Sequence, residues 1–428
     1  TGLRIFQGLQ GAAMLAGSYA LFRQINPKSR APLFYLVMLV SAELWLFLPM
    51  LRYYTLAAAL AMWAFRYYFA WLDSGGKKHR IPLTLFFIAI LYTDYPTAFV
   101  IALCGLYTLW KHRDLLVPFL GIAGVAVLAF IPWMGIVLQQ VLSPTAPSVA
   151  TFNDSPVYIV IKLGYSFYAY IVGETVYPFE VLGIAVVAAL AILAGYVLFK
   201  RKYRAFVPRD WFLIATPVLG VLFTSLITSL VALHTSFVYT PSRTLYALPL
   251  VFLALEQITR RVKTQLFTVL LSAVLLIVSG YGLYNYIAGR HFMNPVYAVP
   301  WREIVLDLSP SDAGILADEG YCYGYYADEY SHLSPPRLLN HGLGIPVDVD
   351  SLQRHDTLVV LLTDRVSTFP TVAGETLDYV EANATATDTS YYTIYDPGYT
   401  WLKRKLLKKD GGLKAKVAVT RYLWNSGR

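Results

Sequence analysis

Lysine and arginine in this chain collect in every second gap between its apolar runs. The clusters are Arg23/Lys28/Arg30, Lys77/Lys78/Arg80, Lys111/Arg113, Lys200/Arg201/Lys202/Arg204/Arg209 and Arg260/Arg261/Lys263. The intervening short gaps hold only Arg52, Lys162 and the boundary residue Arg243. Positive charge in short loops stays on the cytoplasmic side of a membrane. Sixteen cations against three therefore describe a polytopic membrane protein threaded in one direction.

Composition agrees. Of 428 residues, 57% are hydrophobic and 14% charged, whereas a soluble domain carries about 25% charged and roughly 45–50% apolar residues. The net charge of +9 sits between apolar runs, where topology and anionic lipid headgroups account for it, so no nucleic-acid partner is expected. Cys104 and Cys322 lie in different kinds of segment and suggest neither a disulfide nor a metal site. The chain opens at Thr1 inside an apolar pattern, and residues upstream of it are expected.

A spanning helix needs about 20 mostly apolar residues. Ten spans are predicted at 3–22, 31–50, 53–72, 81–93, 96–110, 115–137, 178–199, 211–233, 242–258 and 265–287. Alternation then places the five basic loops inside. Arg52, Asp94, the 138–177 loop and the 234–241 loop fall outside. The apolar, tyrosine-rich stretch 157–170 suits a helix lying along the outer surface. The transmembrane domain is expected over 1–290.

From Val296 onward the spanning runs stop, and a small extracytoplasmic α/β domain is expected over 296–428. Trp301 to Leu308 reads as a helix, 314–317 and 357–362 as buried strands, 369–383 as a helix and 391–395 as a further strand. The basic tail 403–416 suits solvation or contact with anionic lipid.

Ionisable groups within or beside spans are costly and invite a reason. Arg4, Glu43, Arg52, Tyr54, Asp94, Tyr95, Glu174, Tyr177, His234, Tyr239 and Arg243 all map to the outer end. Arg66 maps to the inner end and suits snorkelling towards headgroups. Guanidinium groups form planar, bidentate bonds to phosphate oxygens, so Arg4, Arg52 and Arg243 suit a lipid-phosphate head at that depth. Each also has a plainer reading as a snorkelling cation. Glu43 suits either a partner for a neighbouring arginine or an interior carboxyl. His234 lacks ligand-spaced neighbours and reads as a polar interface residue, and no metal ligands are assigned.

Four stretches resemble the GT-C membrane glycosyltransferases, in the branch of the protein O-mannosyltransferases and the lipid A aminoarabinose transferase. They are Leu3-Arg4-Ile5 through Arg23, Arg52-Tyr53-Tyr54-Thr55-Leu56, Tyr92-Thr93-Asp94-Tyr95, and Ser242-Arg243-Thr244-Leu245-Tyr246 through Pro249. An outer domain opening on Trp301-Arg302 is similar too. The resemblance implies a polyprenyl-phosphate-linked sugar as donor, an inverting transfer to a protein, lipid or glycan acceptor on the outer face, and residence in the plasma membrane. It implies that Arg4, Arg52 and Arg243 hold phosphate or shape the pocket; the gathering of polar groups at the outer end separately places Tyr54, Tyr95, Glu174, His234 and Tyr239 around the substrate. No cofactor beyond the donor follows from it, and a divalent metal is left open. The acidic base of that family would lie upstream of Thr1. The family's histidine in Thr-His-Tyr is Asp94 here, a weak catalytic candidate that could equally cap its turn. Two other readings stand beside this one: a non-catalytic membrane subunit on the same scaffold, working with other membrane proteins, and a transporter.

Overall fold

The computed structural model describes residues 2–27, 33–50, 52–142, 156–176, 178, 180–199, 204–232, 241–288, 299–318, 320–340, 345–363, 372–393 and 416–424. These fall into two compact units, one holding the described residues up to Ile287 and the other those beyond it. The first is helical. The second carries a small sheet. The basic tail 403–415 lies outside the described residues.

The helical unit contains α1 (Gly2–Ile25), α2 (Leu33–Leu39), α3 (Ala42–Phe47), α4 (Tyr54–Asp73), α5 (Arg80–Thr93), α6 (Phe99–Lys111), α7 (Leu116–Phe130), α8 (Met134–Leu142), α9 (Pro156–Val172), α10 (Val181–Phe199), α11 (Pro208–Ala232), α12 (Ala247–Arg261) and α13 (Gln265–Ile287). Among the described residues, two helical stretches are long and apolar enough to cross a membrane, Arg113–Gln139 and Gln265–Ile287. Shorter apolar helices include Arg80–Thr93, Pro96–Lys111 and Val181–Tyr196.

Small side chains set the closest helix pairing. Ala57, Ala58, Ala61 and Ala64 of α4 are buried, and α4 packs along α1. At Gly17 of α1 a Cβ would lie 2.9 Å from the Trp63 ring. The bare glycine lets that indole reach across and donate to the Ala13 carbonyl at 3.0 Å. Close backbone approach of this kind replaces hydrophobic gain where the surroundings are themselves apolar.

Polar contacts gather at the two ends of this unit. At one end, Gln24 of α1 takes a bond from Arg66 (2.7 Å) and reaches Asp73 at the end of α4. Arg209 pairs with the same Asp73, and Arg261 at the end of α12 pairs with Asp210 at 2.5 Å. At the other end, Gln7 of α1 donates to the Leu48 carbonyl and to Thr55 Oγ1. Arg66 therefore has a side-chain partner in Gln24.

The expected second span, 31–50, is broken into α2 and α3. The amides of Val40 and Ser41 bond back three residues, to Val37 and Met38, and Ser41 is extended with ψ 125°. Tightening to i→i−3 bonds ends α2, and Ser41 starts α3 afresh. The stretch expected to lie along the outer surface forms α9.

In the second unit, the helix α14 (Trp301–Leu308) is followed by β1 (Gly314–Ala317), α15 (Gly320–Glu329), β2 (Arg337–Leu338), α16 (Val349–Gln353), β3 (Thr357–Thr363), α17 (Gly374–Asn383), β4 (Ala384–Thr393) and β5 (Lys416–Trp424). The strand order is β2-β1-β3-β5-β4. β1 pairs in parallel with β2 and β3, and β5 runs antiparallel between β3 and β4. β1 and β3 are apolar on consecutive positions because both faces are covered. Ile315, Val359 and Leu361 pack with Trp301, Ile304 and Val305 of α14. Leu316, Leu358 and Val360 pack on the opposite face with Leu352 of α16 and Val380 of α17. β4 carries a bulge between Ala386 and Asp388.

Several elements differ from the sequence expectation here. The strand expected at 391–395 begins at Ala384, directly after α17. The helices α15 and α16 and the strands β2 and β5 were not anticipated. Cys104 and Cys322, for which no disulfide was expected, are free thiols.

Candidate functional site

The group of interest assembles on three short turns at the Gln7–Thr55 end of the helical unit. Chain reversals put them there: the start of α4, the end of α5 and the turn before α12. Arg52 is exposed just before α4. Tyr53 follows, half-buried, its ring in an edge contact with Tyr54 at 4.7 Å between centroids. Tyr54 also packs edge-on against Phe47.

Asp94 ends α5 in an extended conformation and is buried. Its Oδ2 accepts two bonds from Thr97, the backbone N–H at 3.1 Å and Oγ1 at 2.5 Å. The carboxylate thus folds back onto its own turn, Pro96–Ala98. Pro96 has no N–H to offer at the i+2 position, and the Asp94 carboxylate bonds instead to the Thr97 amide three residues on.

Arg243 sits on the 3₁₀ turn Pro241–Thr244. The turn is clamped from α9: the buried Tyr170 hydroxyl donates to the Thr244 carbonyl at 2.8 Å and lies against Thr244 Oγ1 and the Pro241 carbonyl. Arg243 Nη1 donates to the Tyr53 hydroxyl at 3.2 Å. Asp94 lies within electrostatic range of Arg243, and the Tyr53 hydroxyl within range of Arg52, Asp94 and Arg243. Arg52, Tyr53, Asp94 and Arg243 are therefore one electrostatic neighbourhood. Tyr53 was missed at the sequence level, where the Arg-x-Tyr spacing pointed to Tyr54 instead.

The other predicted residues divide. Arg4 is exposed one turn before Gln7, at the same end of the unit. Tyr95 turns aside: its hydroxyl accepts the Trp133 indole N–H at 3.1 Å and its ring packs on Phe130. Glu174 is buried beyond α9 and accepts the Tyr165 hydroxyl at 2.8 Å. Glu43 of α3 is buried within electrostatic range of it and, among the described residues, forms no ion pair with an arginine. Tyr177, His234 and Tyr239 lie outside the described residues. No cluster of three or more His, Cys, Asp or Glu side chains fit for a metal occurs among the described residues.

Burial pushes the Asp94 carboxyl up to about 6, against the Thr97 bonds and the Arg243 charge, which pull it down. An acid raised in the folded state costs stability once ionised. The cost is absent below the ordinary carboxylate range and complete above pH 6, so it develops as pH rises through that window. Asp94→Asn keeps an oxygen that accepts both Thr97 bonds. Relative to the parent it should melt alike near pH 4 and a few degrees higher at pH 7. Thermal melts across pH check this, and a constant difference between the two proteins from pH 4 to 7 would contradict it.

No family model, curated protein or solved structure matches this chain.

Proposed function

We propose that this chain is a multi-pass membrane glycosyltransferase that takes a sugar from a polyprenyl-phosphate donor and passes it to an acceptor hydroxyl on the outer face of the plasma membrane. The reading carries with it an extracytoplasmic α/β domain and an inverting reaction. The acceptor oxygen bonds to the anomeric carbon as its proton passes to a base, the bond from that carbon to the phosphate oxygen breaks, and polyprenyl phosphate departs with the electron pair.

The observation that carries this reading is the convergence of Arg52 and Arg243 around Tyr53 at one end of the helical unit, with the basic clusters' Arg209 and Arg261 tied down at the other. Cations aimed at a departing phosphate stabilise the charge that develops there. Membrane residence is supported by the unit's surface. Ile81, Val117, Leu128, Val181, Ile192 and Ile277 are more than half exposed, while Gln7, Glu43, Asp94, Glu174 and Asn285 are buried. Apolar outside and polar inside suits lipid surroundings.

A second reading, a non-catalytic subunit on the same scaffold, draws on Asp94, whose carboxylate is taken up by Thr97. A donor panel separates the two. Purified full-length protein in nanodiscs should transfer label from at least one polyprenyl-phosphate sugar, and absence of transfer across the panel favours the subunit. Arg52→Ala should bind donor about tenfold more weakly with an unchanged melting temperature, the loss of one charged contact to phosphate. Equal donor affinity in a folded variant would remove Arg52 from the phosphate site.

A further inference from the structure

Away from the arginine group, α3 presents an acid with nothing to hold. Glu43 lies in the first turn of α3 and is 0% exposed. Neither of its carboxylate oxygens has a hydrogen-bond partner. The Ser41 hydroxyl, at the start of the same helix, is also buried and unpartnered and does not cap the helix.

The turn after α9 closes over this end of α3. Gly173 has φ +92°, and a Cβ there would stand 2.8 Å from Ala42 Cβ. Only glycine permits both the backbone conformation and the approach. The approach brings Glu174, itself 4% exposed, within electrostatic range of Glu43. The Glu174 N–H points towards the Glu43 carboxylate without closing a hydrogen bond of normal geometry. On the far side α13 seals the junction. Thr175 Oγ1 donates to the Gly282 carbonyl at 2.7 Å, and Asn285 Nδ2 donates to the Thr175 carbonyl at 3.1 Å.

Two buried carboxyls within electrostatic range of each other are costly to ionise together, a cost that protonation or a cation bound between them relieves. No Lys, Arg or His forms an ion pair with either among the described residues. A shared proton would need an oxygen-to-oxygen hydrogen bond, which Glu43 does not make. The donors at hand are carboxylate and hydroxyl oxygens, the set that suits hard divalent ions of the magnesium, manganese and calcium class.

We propose that Glu43 and Glu174 bind a hard divalent cation where α3 meets the 173–175 turn, with Ser41 and Tyr165 as neighbouring oxygen donors. The ion ties α3 to the segment after α9. The proposal is independent of the glycosyltransferase reading.

The test uses full-length protein in nanodiscs, stripped with chelator and titrated with Mn²⁺ alone. Calorimetry should show one saturable ion per chain, and the ion should raise the melting temperature. Glu43→Gln and Glu174→Gln, both near-isosteric, should each weaken Mn²⁺ binding more than tenfold. Asp94→Asn, an acidic change elsewhere, should leave it unaltered. Parent protein that binds no Mn²⁺ overturns the proposal, whatever the variants do. So does equal binding by the parent and whichever glutamine variant folds, or a melting temperature of the stripped parent that Mn²⁺ does not move.

Discussion

Arg243→Ala should lower sugar transfer from a polyprenyl-phosphate donor by about 100-fold, the scale on which one preorganised donor to a developing negative charge contributes. The variant should still fold. The turn that carries Arg243 is held by Tyr170 through the backbone of Thr244 and Pro241, not by the guanidinium. Arg243→Lys should fall between, because it retains charge but loses the planar fork. Tyr53→Phe should cost less than Arg243→Ala, since it removes one acceptor of Arg243, at 3.2 Å, and leaves the guanidinium in place. Single-turnover rates and donor affinity, measured side by side, check these expectations. A folded Arg243→Ala variant within twofold of the parent in both quantities would dismiss the phosphate role.

The largest effect on stability is expected at the opposite end of the helical unit. Arg261 Nη2 meets Asp210 Oδ2 at 2.5 Å, with Asp210 only 7% exposed in its side chain and Arg261 27%. The same Asp210 oxygen accepts the Val207 amide at 3.0 Å, and the Arg261 carbonyl accepts the Arg204 amide. Arg261→Ala strands a buried carboxylate, which costs about 3 kcal/mol, at the lower end for buried pairs because the arginine is part-exposed. Asp210→Asn combined with Arg261→Ala should recover much of that loss, since the amide oxygen still caps α11 and no charge remains to be compensated. Thermal melts of the two single variants and the double variant decide it. A double variant no better than Arg261→Ala would show that the arginine acts through packing rather than charge.

The helices were legible where an apolar run is unbroken. The expected 265–287 and α13 coincide because nothing in Gln265–Ile287 interrupts the helix. The break within 31–50 was not legible, because Val40 and Ser41 are tolerated mid-helix and only the i→i−3 bonding at that point ends α2. α15 escaped because its tyrosines give no helical stripe, and Tyr323 alone is a large buried side chain in it. β5 escaped because its alternating Val417, Val419 and Arg421 follow a lysine-rich stretch that reads as solvated. The β4 boundary was misplaced since no turn residue separates Asn383 from Ala384.

At the candidate site the arginines were legible, since a cation bordering an apolar run is conspicuous. Their partners were not. Tyr53 differs from Tyr54 only in the direction it faces, which the turn before α4 decides. The neighbourhood of Glu43 and Glu174 depends on Gly173 fitting against Ala42, a fact of packing that no local spacing reports.

The bulge in β4 has a bearing on how the sheet meets other chains. β2, at one edge, is a two-residue strand, too short to template pairing, so among the described residues β4 is the long free border. There Thr387 is displaced from the ladder, its hydroxyl donating to the Arg421 carbonyl, and charged Asp388 resumes the register. An incoming strand would meet a kinked rim bearing a carboxylate, and such rims resist edge-to-edge accretion. The sheet can therefore leave its outermost strand largely exposed without inviting self-association.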